Sequence, residues 1–453
     1  MNNQPDLPAN IELEASVLAA ILIDNGIIDL IADTLSADDF SLGIHRRIFE
    51  AACHQHATTG VANPPTLAPL FKDDEDIKEL GGPSYLAKLT ASTAGQLDPK
   101  GFARQLAAIG RRRRVVEGLT AATAAARDQN VKISDAIGIA DEAIGEKAIS
   151  TIRESDASDC FDEMFEGYKT EDRGVTCTVI PTLDHLMGSL KPGSLNIMAG
   201  RPGMGKSAVS FSYARGAAEN GHGTLLVSLE MPGDQIAQRM AADLCYDEHQ
   251  IEYRNIRDGR LDADETALVR AAQGRVRQMP LRIACGSALP VGRLASLIRR
   301  TKRRFAAHGA TLDLVVIDYL QLLRPDQRGN RYEAITEISM ALKAMALDND
   351  VAILALAQLS RQVEQRDDKR PMLSDLRESG QLEQDADSVT FLLRQQYYLQ
   401  KEEPPRSNDK YVEWQSKLAE VRDKIEFIVA KRRNGTEGSG LASFFGKYQA
   451  VRG

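Results

Sequence analysis

The chain has 453 residues, of which 43% are hydrophobic and 26% charged, the proportions of a globular protein long enough for two or three domains. Those values exclude wholesale disorder and fibrous repeats, and no apolar run approaches the roughly 18 residues needed to cross a bilayer. A formal charge of -8 excludes a global positive field for coating nucleic acid, so any such contact must be local.

The opening Met1-Asn2-Asn3-Gln4-Pro5-Asp6 lacks the basic and apolar regions of a signal peptide, which predicts a cytoplasmic protein without membrane contact. Five scattered cysteines with no C-x-x-C pair predict reduced thiols and no zinc site, and His54 and His56 read as surface histidines. From Asn10 onward, Leu13, Val17, Leu18, Ile21 and Leu22 recur at helical spacing, and Asn25-Gly26 closes the run. Further amphipathic segments at 27–35, 45–53, 85–89 and 102–128 complete a small all-helical N-terminal domain over residues 1–150. The basic run Arg111, Arg112, Arg113 and Arg114 reads as a solvated helix face.

Residues 151–175 shift to Ser, Asp and Glu and read as a linker. Within it Phe161, Met164, Phe165 and Tyr168 fall at i, i+3, i+4 and i+7, which predicts a short amphipathic helix over 159–168. So short a helix needs a partner surface, either in its own domain or on a neighbouring subunit; periodicity leaves both open. From Val175 short β-rich runs alternate with helices, the pattern of an α/β fold with a parallel-rich sheet over 176–453. Strands are predicted at 195–199, 224–229, 281–284, 314–317, 351–357 and 389–393. A terminal ribbon, 425–430 and 441–445, flanks Asn434-Gly435.

Gly200-Arg201-Pro202-Gly203-Met204-Gly205-Lys206-Ser207 fits G-x-x-x-x-G-K-[ST] and lies between an apolar strand and a helical run. Its glycines let backbone amides turn inward onto phosphate oxygens at a helix N-terminus. Lys206 then supplies charge to the β- and γ-phosphates of ATP, and the Ser207 hydroxyl suits Mg²⁺. The strand 314–317 runs into Asp318, a second magnesium-site candidate. Glu230 follows another strand and could accept a proton from an attacking water, although a helix-start carboxylate is as good a reading of that residue alone. Gln358 ends a third strand and could sense the γ-phosphate.

The sequence resembles the DnaB-type replicative DNA helicases. The resemblance is carried, in order, by the 198–208 segment, Ser228-Leu229-Glu230-Met231, Val316-Ile317-Asp318-Tyr319-Leu320-Gln321, Ala357-Gln358-Leu359-Ser360-Arg361, Asp375-Leu376-Arg377-Glu378-Ser379-Gly380 and Lys431-Arg432-Arg433-Asn434-Gly435. Glu12 to Leu18 and Asp38-Asp39-Phe40 extend it into the N-terminal domain. The resemblance implies a RecA-like P-loop ATPase domain and a homo-hexameric ring on single-stranded DNA, moving 5′ to 3′ and unwinding duplex at the replication fork with primase and a helicase loader as partners. It implies that Glu230 is the catalytic glutamate, Asp318 the magnesium-site aspartate and Gln358 the γ-phosphate sensor. Lys431 and Arg433 would reach the ATP of the adjacent subunit, and Arg377, Glu378 and Gly380 would line the DNA channel. Residues 400–423 look longer than the usual connection in that family. A RecA-like recombinase or branch-migration ATPase, and an inactive ring serving as an interaction protein, are the alternatives; the helical N-terminal domain counts against the first and intact Lys206, Glu230, Asp318 and Arg433 against the second.

Overall fold

The computed structural model describes residues 7–32, 34–72, 74–82, 84–91, 98–144, 156–167, 174–325, 331–376, 380–406 and 409–453. The chain divides into two compact units, Met1–Arg153 and Glu154–Gly453.

The first unit is helical. Its opening helix, Ile11–Ile23, starts where the Asn10 side chain accepts the Leu13 amide, at 3.0 Å. Leu13, Val17, Leu18, Ile21 and Leu22 then face a core with Phe40, Ile48, Leu67 and Leu86. Helix Pro99–Arg127 is capped by Asp98 with proline at its first position, and helix Ile133–Ile144 follows it. The basic run within the long helix is not simply a solvated face. Arg113 is 5% exposed and donates to the Asp38 carbonyl at 2.9 Å, while Arg114 pairs with Asp39 at 2.7 Å. Gly110 makes this approach possible, since a Cβ there would lie 2.7 Å from the Asp39 Cα.

Glu14 is fully buried in this unit. It accepts from the Ser41 amide at 2.7 Å and bonds the His45 Nδ1 at 2.8 Å, while the far ring nitrogen of His45 bonds the Tyr85 hydroxyl at 2.8 Å. Helices Ile11–Ile23, Gly43–Thr59 and Ser84–Ala91 are thereby pinned through one polar chain.

The second unit is built on β1 (Leu195–Gly200), β2 (Thr224–Ser228), β3 (Leu281–Cys285), β4 (Leu289–Pro290), β5 (Leu314–Asp318), β6 (Leu323–Arg324), β7 (Ala352–Gln358), β8 (Ser388–Leu393), β9 (Lys424–Arg432), β10 (Gly438–Phe445) and β11 (Ala450–Arg452). Nine of these form one sheet in the order β11-β10-β9-β8-β1-β7-β5-β2-β3, while β4 and β6 pair separately. Strands β8, β1, β7, β5, β2 and β3 are parallel; β9, β10 and β11 run antiparallel. The short β11 was not apparent in the sequence.

The parallel strands read as near-continuous apolar runs because both faces are covered. Leu195, Ile197 and Ala199 turn to one face with Val315, Ile317, Leu294 and Leu342, and Met198 turns to the other with Leu354, Val209 and Ile236. Arg452 of β11 reaches Asp243 at 2.6 Å, and the same buried carboxylate takes Arg215 at 2.8 Å. A helix, Ala157–Gly167, precedes the sheet and leaves Phe161 60% exposed; Tyr168 of its expected stripe lies outside the described residues.

Burial alone would push the Glu14 carboxyl up, but the bonds from His45, Ser41 and the Ser41 and Leu42 amides outweigh it and hold the group below its ordinary value. A depressed carboxyl contributes stability above its unfolded value, and that contribution is lost as pH falls through the folded one. Amide protection in helices Ile11–Ile23 and Gly43–Thr59 of the full chain should therefore drop on acidification below about pH 4.5. At neutral pH Glu14→Ala should cost about 3 kcal/mol, read from the same protection factors.

Candidate active site

Parallel direction brings the sequence-predicted residues together. Strands β1, β7, β5 and β2 are neighbours in that order, and their carboxyl ends share one edge. Gly200 is level with Gln358, and Ser228, two residues before Glu230, is level with Asp318. Helix Lys206–Glu219 begins directly after the glycine-rich loop, so its first amides and positive dipole end face that edge.

Gly203 and Gly205 take φ values of +84° and +88°, a left-handed backbone that favours glycine. Space demands glycine as well. A Cβ on Gly203 would stand 2.6 Å from the Tyr397 ring, and one on Gly205 would stand 2.5 Å from the Phe444 ring. Arg394 lies over the Phe444 ring at 4.0 Å and donates to the Gly203 carbonyl at 3.1 Å. Tyr397, Arg394 and Phe444 were missed from the sequence, since groups just past β8, beside β1, and on β10, three strands from it, carry no local motif.

Lys206 donates to the carbonyls of Gly200 at 2.7 Å and Arg201 at 3.3 Å. Burial pulls its ammonium down to about 8, against the opposing charges of Asp318 and Glu230. Burial likewise pushes Asp318, 1% exposed, up to about 6, opposed by its hydrogen bond with Ser207. Its Oδ2 is buried without a hydrogen-bond partner among the described residues. Two hard oxygen donors, one of them with an orphaned lone-pair site, beside a glycine cradle fit a magnesium ion next to phosphates. Glu230 is exposed at the mouth of the site. The Gln358 backbone is held by the Gln321 side-chain amide, whose N–H donates to the Gln358 carbonyl at 3.2 Å and whose oxygen accepts the Gln358 amide at 3.3 Å.

Not every loop side chain turns toward this edge. Arg201 is 6% exposed, with Nη1 on the Leu359 carbonyl at 2.8 Å and Nε on Glu364 at 3.0 Å. Lys431 and Arg433 lie at the other edge of the sheet altogether. Because β9 runs antiparallel, Arg432 is level with Ser388 at the start of β8, and the Arg433 amide donates to the Asp387 carbonyl. The level of Gly200 is five residues back along β9, about 17 Å of strand. Both basic groups are instead bonded to carbonyls at the end of helix Gly380–Asp385: Lys431 to those of Glu383 and Gln384, and Arg433 to that of Gln384 at 2.6 Å. Gly380 opens this helix, whereas Arg377 and Glu378 lie outside the described residues.

The 400–423 segment supplies helix Lys410–Glu420, which packs beside helix Gln395–Lys401 through a Trp414 indole bond to the Leu399 carbonyl at 2.7 Å. Lys401 stands 4.1 Å above the ring of Tyr397, the residue that covers Gly203.

A glycine-rich loop between β1 and its helix, two strands inserted between β1 and β2, and an acid ending β5 define a RecA-like P-loop nucleotide-binding domain, here preceded by a helical domain. Sequence comparison narrows the class: the DnaB-like helicase C-terminal domain model matches residues 174–452 and the DnaB-like helicase N-terminal domain model matches residues 6–108. The chain belongs to the DnaB-like helicase family. It is 31% identical over 456 residues to the replicative DNA helicase DnaB of Rickettsia prowazekii (strain Madrid E), covering 96% of this chain and 92% of the relative. Identity to the replicative DNA helicase DnaB of Geobacillus stearothermophilus is also 31%, over 97% of this chain and 94% of that protein. Among solved structures, a DnaB-like replicative helicase described with its primase interactions aligns at a TM-score of 0.66 and 29% identity, covering 98% of this chain and 99% of that one. A second solved structure, described as an ATPase domain, aligns at a TM-score of 0.56 and 32% identity, over 66% of this chain and 99% of that one.

The rings over the loop set a direct test. Gly205→Ala meets both a left-handed backbone and the Phe444 ring, so affinity for a fluorescent ATP analogue should fall at least about tenfold, a loss of about 1.4 kcal/mol or more.

Proposed function

We propose that this chain is an ATP-driven replicative DNA helicase that assembles into a hexameric ring in the cytoplasm. It encircles single-stranded DNA, moves 5′ to 3′ and unwinds duplex at the fork, with primase and a helicase loader as partners. The observation that carries this reading is the division of the site between two edges of one sheet. The glycine-rich loop, Glu230, Asp318 and Gln358 occupy the carboxyl edge, while Lys431 and Arg433 stand about 17 Å away along the strands. Such a chain supplies half a site at each edge, and a ring closes each half against a neighbour.

In this mechanism the backbone of Gly200, Arg201, Pro202, Gly203, Met204, Gly205, Lys206 and Ser207 cradles the phosphates of ATP, and the Lys206 ammonium exchanges its carbonyl partners for the β- and γ-phosphate oxygens. Glu230 orients the attacking water and accepts its proton. Gln358, braced by Gln321, detects the γ-phosphate. Lys431 and Arg433 of one subunit stabilise the charge that develops on the phosphoryl group in the next. Magnesium, held by Ser207 and Asp318, would neutralise charge on the phosphate oxygens. Arg377, Glu378 and Gly380 contact the DNA backbone in the channel, so a few local contacts repeated round a ring let the protein bind DNA despite its net charge of -8.

The linker helix fits the same assembly. Phe161 and Met164 are exposed on helix Ala157–Gly167. An apolar cleft of about 380 Å³ lies among Met240, Leu244, Ile256, Val269, Val276 and Ile283, and receives the linker helix of a neighbouring subunit. Replacing Phe161 and Met164 together by Ser should shift native mass from hexamer to smaller species at low concentration and leave the circular dichroism spectrum of the chain unchanged, as expected for surface changes. A ring unchanged by the double substitution places the stripe within its own chain.

Strand displacement on forked DNA with ATP is the direct test of the whole reading. Lys206→Ala should abolish both unwinding and ATP turnover with an unchanged circular dichroism spectrum. Mixed rings of Lys206→Ala and Arg433→Ala subunits, verified by native mass measurement, should recover turnover that neither pure ring shows. One interface type there joins an intact loop to an intact arginine, and such an arginine contributes on the order of a thousandfold in rate. Normal turnover in pure Arg433→Ala rings removes the residue from the mechanism.

A further inference from the structure

One side chain of the phosphate loop leaves the site. The Arg201 guanidinium is buried, donating to the Leu359 carbonyl at 2.8 Å and to Glu364 at 3.0 Å, and so fastens the loop to the segment that follows Gln358. That segment is braced throughout its length. Lys369 donates to the carbonyls of Glu364 at 2.9 Å and Arg366 at 2.5 Å. Arg366 crosses to Asp375 at 2.8 Å, and Asp375, 6% exposed, also accepts the Met372 amide at 2.8 Å and lends its own carbonyl to the Ser360 amide at 3.1 Å. Residues 359–376 thus form one hydrogen-bonded piece, fastened to the phosphate loop by Arg201 and to β9 by the Arg370 bond to Glu426 at 2.6 Å, and ending a few residues before Gly380.

The anchor is placed where nucleotide chemistry acts on it. The Lys206 ammonium donates to the Arg201 carbonyl at 3.3 Å, and a triphosphate in the loop competes for that same ammonium. Arrival of the phosphates withdraws a donor from the peptide that carries the guanidinium, and loss of the γ-phosphate returns it. Gln358 therefore need not be the sole route from phosphate to DNA.

We propose that Arg201 and Glu364 form a positioning pair that couples ATP turnover to DNA occupancy through the braced segment 359–376. The two side chains meet each other and the Leu359 carbonyl, and so set the segment's attitude to the loop. Arg366 and Asp375 form the brace that carries that attitude toward Gly380, which the helicase reading sets at the DNA. This deepens the helicase reading and rests on it.

The test uses the full-length ring with oligothymidylate as the DNA and a fluorescent ATP analogue as the nucleotide probe. Glu364→Gln keeps the shape of the side chain and removes its charge. Its DNA-free ATP turnover should stay within twofold of the parent, and its affinities for both probes should stay within twofold. The factor by which DNA accelerates turnover should fall at least fivefold. Arg366→Gln should behave alike, and Arg366→Lys should recover at least half of the acceleration, since an ammonium can still pair with Asp375. Acceleration kept within twofold of the parent in both glutamine variants overturns the proposal, and so does a parallel fall of DNA-free and DNA-stimulated rates, which marks a merely structural brace. A parent ring that DNA does not accelerate defeats the helicase reading and this proposal with it, whereas an accelerated parent with fully accelerated variants defeats the proposal alone.

Discussion

Strand direction is the constraint on which the site depends. Hydrogen bonding in a parallel ladder fixes neighbouring strands to run the same way, so β1, β7, β5 and β2 deliver their last residues to one edge. Residues as distant in sequence as Gly200, Glu230, Asp318 and Gln358 meet for that reason alone. The apolar side chains on both faces hold the ladder rigid, and this rigidity keeps an acid such as Asp318 buried beside the Ser207 hydroxyl against the cost of desolvation.

The same constraint works in reverse at the C-terminal ribbon. Antiparallel pairing of β9 with β8 sends Lys431 and Arg433 to the far edge, where carbonyls of helix Gly380–Asp385 hold them. On the proposed reading a lone chain owns every catalytic group yet completes no site. Turnover per chain would then fall on dilution, following the ring's association equilibrium rather than the folding of any one subunit.

Much of this was legible in the sequence because it is local. The loop motif, the apolar runs ending in Asp318 and Gln358, and the first helix beginning after Asn10 each follow from spacing within a few residues. What escaped depends on close approach between distant segments. The run Arg111 to Arg114 has the composition of a solvated face, but Gly110 lets the 37–39 turn sit against it and draws Arg113 and Arg114 onto backbone and acid. Tyr397 and Phe444 have no motif, and only the register of β8 and β10 brings their rings over the two left-handed glycines. Arg201 stands within the loop motif, yet its buried side chain serves Glu364 on another strand's extension. Three-residue β11 owes its pairing to Arg452 and the buried Asp243, a tertiary clamp without periodicity.

The 400–423 segment gives the molecule an optical property. Trp414 is the single tryptophan among 453 residues, and its indole N–H is bonded to the Leu399 carbonyl in the helix whose Tyr397 ring lies over Gly203. Intrinsic tryptophan emission therefore originates at one site per chain, two contacts from the phosphate loop. Without any label, the protein carries a fluorophore on the element that abuts its nucleotide pocket.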